Sequence, residues 1–145
     1  MHRVVILLSV LLGLVSRADA GDSRQELAKL KGEWQAVRGE QNGDVQNWGD
    51  GEKRFVFEGN KLLVIHPQTG KKTEWVTLTI DAQTTPRCID LSRKGLGTME
   101  GIYVLDGATL KVCFDREVKA VKARPTMFST SSSPTLVILT FKRVK

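Results

Sequence analysis

Residues 31–40 read KGEWQAVRGE. Two positions after Gly32 comes Trp34, and from there the side chains alternate. Trp34, Ala36 and Arg38 fall on one face, with Gln35, Val37 and Gly39 on the other. A period of two marks a strand. An aromatic this large at the start of a first strand is either an ordinary core residue or the plug of a closed barrel. The flanking sequence decides between them.

Upstream lies DSRQELAKLK, with Leu27 and Leu30 three apart after Asp22 or Ser23 as the expected cap. This predicts a short helix, too short to stand alone, that must pack on something. Earlier still, His2 and Arg3 lead into an apolar run from Val4 to Val15, followed by Ala18 and Ala20 in an A-x-A arrangement. That layout predicts a signal peptide over 1–20, cut after Ala20 and followed by one domain over 21–145. The run is shorter than the roughly 20 apolar residues that span a bilayer. An extracytoplasmic protein, periplasmic or secreted, is expected. Losing Arg3, Arg17 and Asp19 with the leader lowers the net charge from +6 to +5.

Downstream, β-type runs and turn signals repeat to the end. EKRFVFEG sets Phe55 and Phe57 on one face, and Gly59-Asn60 turns into KLLVIH. PQTG precedes KKTEWVTLTID, and RCIDLS follows Pro86. MEGIYVLDG runs through Asp106-Gly107 into TLKVCF, the strongest hairpin signal noted. PTMFST and PTLVILTFKRV complete eight or nine short strands with no second long helix. The fold class predicted is all-β, a small antiparallel up-and-down barrel or sandwich with a short N-terminal helix.

GEWQAVRGEQNG resembles the GxW opening of lipocalin-like barrels. PRCIDL, GIYVLDGATLKVCF and RPTMFST are similar to a lipocalin-like family of unknown function first described from planctomycetes. The resemblance covers nearly all of 21–145. It implies a small antiparallel barrel and no particular activity. In such folds the GxW tryptophan plugs the closed end, and an arginine of the last strand stacks on it. Trp34 and Arg143 are the matching residues here, with Val137, Leu139, Phe141 and Arg143 sharing one face.

Little points to chemistry. One histidine, His66, remains after the leader, and there is no G-x-S-x-G elbow. Zinc ligands are not clustered, and the acidic residues do not form a calcium loop. GLGTMEG lacks the helix a phosphate cradle needs. No catalytic residue, metal or cofactor is expected. Basic residues are not interleaved with aromatics, so nucleic acid is not an expected partner.

Lys119, Lys122 and Arg124 cluster before Pro125, as a solvated loop or a contact for an anionic surface. An Arg buried in a small barrel needs a carboxylate, and Asp90 is the first candidate for Arg124. Cys88 and Cys113 fall two strands apart, about 9–10 Å at ordinary strand spacing. A disulfide needs Cα atoms within about 7 Å, so two free thiols are expected.

Two functions stay open. In the first, the barrel of a monomer holds a small, partly apolar ligand. Trp34, Phe55, Phe57, Tyr103 and Phe128 then line it, and Arg38 and Glu40, on the face of Trp34, fix its polar end. In the second, the barrel is filled and the chain is a protein- or surface-interaction module, such as an inhibitor or envelope component. There Trp48 is an exposed anchor, unless its loop folds over the barrel mouth. The room inside the barrel separates the two.

Overall fold

A computed structural model describes residues 18–118 and 124–144, with side chains from Ser23 onward. Residues 1–17 of the leader expected over 1–20, together with Lys119 and Lys122, lie outside the described residues. Helix α1 (Ala18–Leu30) leads into strands β1 (Gly32–Gln41), β2 (Asp44–Asn47), β3 (Arg54–Glu58) and β4 (Lys61–Ile65). Strands β5 (Lys72–Asp81), β6 (Arg87–Arg93), β7 (Gly97–Asp106), β8 (Thr109–Asp115) and β9 (Leu136–Arg143) follow. Every pairing is antiparallel, and β9 returns to pair with β1. Eight strands, β1 and β3–β9, thus close a barrel, and β2 is an extra strand on the C-terminal half of β1. Closure leaves those eight without an open edge. Among the described residues, no helix is long and apolar enough to cross a membrane.

The tight hairpins sit where the turn residues predict them. Glu58 pairs with Lys61 across Gly59-Asn60, and Asp106 pairs with Thr109 across Gly107-Ala108. Gly59 and Gly107 both have φ +57°, which costs glycine little. One hairpin was not anticipated. Asn42 and Gly43, at φ +50° and +80°, fold residues 44–47 back on β1 as β2. Conversely, residues 125–130, expected as a strand, are irregular and strap the outside of the barrel.

The helix also starts differently. It runs through Asp22 and Ser23, and the Ser23 hydroxyl, expected as a cap, donates to the Ile80 carbonyl of β5 (2.8 Å). Leu27 and Leu30 pack into the core, so α1 covers one end of the barrel.

Two apolar clusters result. The inner one includes Trp34, Phe57, Leu78, Tyr103, Val112 and Phe141. The outer one joins Ile102, Cys113 and Ile138 beneath Phe128 of the strap.

Candidate functional site

At the helix end, Trp34 is fully buried, and its Nε1 donates to the Leu30 carbonyl (2.7 Å). The Arg143 guanidinium lies 4.3 Å from the Trp34 ring centroid. Arg143 also donates to the carbonyls of Lys31 (2.9 Å) and Lys29 (2.5 Å), acceptors that the end of a helix leaves free. Trp34 therefore has no surface left for a ligand.

Beside this plug sits a polar cluster that the sequence reading missed. Glu26 of α1 is buried, and its Oε2 accepts from the Tyr103 hydroxyl (3.0 Å) and Arg87 Nη1 (3.0 Å). Lys29 Nζ donates to Oε1 (2.8 Å). Burial disfavours the Glu26 carboxylate, but the hydrogen bonds from Lys29 and Tyr103 and the charges of Arg87 and Lys29 outweigh it. The carboxyl is held below its usual range. Burial, and then Glu26, push the Tyr103 phenol well above its usual value. Tyr103, expected to line a ligand cavity, is spent on fastening the helix.

The barrel interior is filled. Phe55 stands edge-on to Phe141 (centroids 5.4 Å apart) and packs on Trp75 (6.0 Å); Phe57 stands edge-on to Trp34 (6.1 Å). The void these side chains leave, between Phe57, Trp75, Phe114 and their neighbours, is about 10 Å³. That is roughly the room of one water-sized probe, so Phe55 and Phe57 line a core and no ligand cavity.

Arg38 and Glu40 depart furthest from expectation. The pairing of β1 with β9 slips between Ala36 and Arg38, a β-bulge at Val37. One extra residue reverses the alternation. Gly39 then pairs with inward Leu139, while Arg38 and Glu40 pair with Thr140 and Ile138 on the outer row. Arg38 and Glu40 leave the face of Trp34 for the outside wall, although Glu40 still borders the space at the open end. Phe128 lies there too, and with Lys111 they edge a groove of about 190 Å³. Glu40 Oε1 accepts from the Thr130 hydroxyl (3.2 Å).

The larger space is at the open end. A cleft of about 510 Å³ lies between the β1–β2 hairpin and the start of β9. Its apolar wall is Trp48, Val137 and Leu139, and its polar rim is Glu40, Gln41, Asn42, Asp44 and Gln46. Trp48 is half-buried over the mouth, not an exposed anchor. Its backbone N–H donates to the Val37 carbonyl (3.0 Å). Buried Gln35 steadies the loop, donating to the Gly49 carbonyl (2.6 Å) and accepting from Gly51 N–H (3.1 Å). Inward Gly39 makes the room: a Cβ there would press on the Trp48 ring, 3.1 Å from Cζ2 and closer to Cη2. The dipeptide Asn42-Gly43 was the available sign of this hairpin.

On the outer wall, Arg124 Nη1 lies 2.8 Å from Asp90 Oδ1 and donates to the Gly101 carbonyl (2.8 Å); Nη2 reaches Glu100 (3.5 Å). Asp90 Oδ1 accepts no aligned hydrogen bond, so that contact is ionic. Both thiols are free. Among the described residues, no group of three or more His, Cys, Asp or Glu is placed to hold a metal ion. In comparisons with known proteins, no family model, no curated protein and no solved structure matches the chain.

Proposed function

We propose that the chain is an exported, monomeric, non-enzymatic binding barrel whose small, partly apolar ligand sits at the mouth and not inside. The contrast in room carries this reading: about 510 Å³ at the mouth against about 10 Å³ within. Small-molecule sites commonly occupy about 300–1,000 Å³ and combine apolar walls with a few polar groups. The leader-like start supports export to an extracytoplasmic space. The GxW start, GIYVLDG and RPTMF support a place in the lipocalin-like family described above.

Native mass spectrometry of protein purified from its own host is the test. The expected result is a bound molecule of small mass that Trp48→Ala releases. Wild-type protein that is always empty, with Trp48 fluorescence unmoved by a library of small fragments, would reject the reading. A filled interior also favours the second reading, an interaction module, and the outer groove bounded by Arg38, Lys111 and Phe128 is its natural contact. Loss of a co-purifying protein on Arg38→Glu, with Trp48→Ala silent, would favour that reading.

A further inference from the structure

We infer that the mouth cleft recognises a neutral saccharide; this rests on the mouth-site reading. The lining sets the chemistry. Three of its polar side chains are amides, Gln41, Asn42 and Gln46, and two are carboxylates, Asp44 and Glu40, the latter already hydrogen-bonded to Thr130. Among the described residues no Lys or Arg lines it. Each amide presents both donors and an acceptor, whereas a carboxylate only accepts. A rim of this kind matches hydroxyl groups, which also donate and accept.

A wholly apolar ligand would strand these groups without partners, at a cost that opposes binding. A strongly anionic ligand would meet Asp44 and Glu40 with no cation in the lining. A cation would find one aromatic ring and two carboxylates, but Glu40 is turned to the outer wall, where it accepts from Thr130, and the three amides add only acceptor oxygens.

The apolar wall narrows the class further. Trp48 is held over Gly39 by backbone and loop hydrogen bonds, so its ring is positioned before any ligand arrives. A flat, C–H-bearing surface edged by hydroxyls complements an indole edged by amides, and a sugar ring has both. Gln41 contributes in a defined orientation. With its Oε1 turned toward Arg116, it accepts from Nε and Nη2 (3.1 Å each). Its NH₂ group is then left to donate.

The test follows backbone amide shifts and tryptophan fluorescence while cellotriose, maltotriose or chitotriose is added. Tri-galacturonate serves as the acidic arm and N-phenyl-1-naphthylamine as an apolar one. At least one neutral trisaccharide is expected to shift amides of residues 39–48. Trp48→Ala and Asp44→Ala should each weaken it tenfold or more, and Trp48→Phe should retain most binding. If only the naphthylamine binds, and Trp48→Ala abolishes it, the saccharide inference fails while the mouth site stands. Binding of tri-galacturonate alone likewise overturns the neutral assignment. If no probe moves residues 39–48, both fail.

Discussion

Arg143 does two jobs with one guanidinium. Its flat face lies over Trp34, and its N–H groups meet the carbonyls of Lys29 and Lys31 at the end of α1. A cation–π contact contributes about 0.5–2 kcal/mol, and orphaned helix-end carbonyls would otherwise need water. Arg143→Ala is therefore expected to lower stability by about 1–2 kcal/mol in urea unfolding. Arg143→Lys should recover only part of this, because an ammonium neither forks to two carbonyls nor stacks as a plane. Trp34→Ala should cost more, about 3–5 kcal/mol, as the loss of a large buried aromatic. An unchanged midpoint for Arg143→Ala would show that the stack is ornamental. This pair was readable because period two fixes a face wherever the strand is regular. Arg38 and Glu40 were misread because a bulge leaves no mark in an alternating sequence, and one residue sends everything beyond it to the other wall.

The helix is an element whose attachment is polar as well as apolar. Leu27 and Leu30 on α1 were readable from their spacing, but Glu26 gave no sign of burial. Besides Lys29 on the same helix, its partners come from β6 and β7, about 60 to 80 residues away, and only the closed barrel brings them together. The Glu26 carboxyl titrates below its usual 4.5 in the fold. A depressed folded value means that the stabilisation is fully present above the unfolded value and is lost as pH falls through the folded one. Tyr103 carries the opposite sign: its value is raised, so its share is complete below the unfolded value near 10 and fades as pH rises. Glu26→Gln is accordingly expected to flatten the acid limb of stability against pH below about 4.5. Tyr103→Phe should remove about 1.5–3 kcal/mol at neutral pH, the range for a hydrogen bond to a charged group. Thermal unfolding from about two units below the carboxylate reference up to neutral pH reads both. An acid limb of equal slope in wild type and Glu26→Gln would assign the acid response to other carboxylates.

For the whole molecule, the notable property is a barrel wall that is apolar on both sides at one place. Ile102, Cys113 and Ile138 point outward and would face water if the β8–β9 connection were short. The described part of that connection instead runs over them, with Phe128 as its apolar contact. It is tied down by Arg124 at one end and by Thr130 to Glu40 at the other. The run PTMFST was read as a strand because a short β-prone segment with an apolar residue has the same composition whether it pairs or straps. What distinguishes the two is a free edge to pair with, and a closed barrel has none. The strap's chief anchor is electrostatic. Asp90 and Glu100 stand directly opposite each other on β6 and β7, and Arg124 lies against both. Without it, two like charges face across a strand pair, which is unfavourable. Arg124→Ala is thus expected to loosen the strap and expose what lies beneath. Cys113 is the natural reporter: it is fully buried, burial raises its thiol above the usual value, and its Sγ faces the Ser129 carbonyl of the strap (4.0 Å). Under native conditions a thiol reagent should modify half-buried Cys88 first and Cys113 slowly. In a Cys88→Ser background, Arg124→Ala should speed Cys113 labelling by tenfold or more, well beyond the change in global stability measured on the same protein. An equal change in both would mean that Cys113 is reached only through global unfolding, and the strap would then have no independent opening.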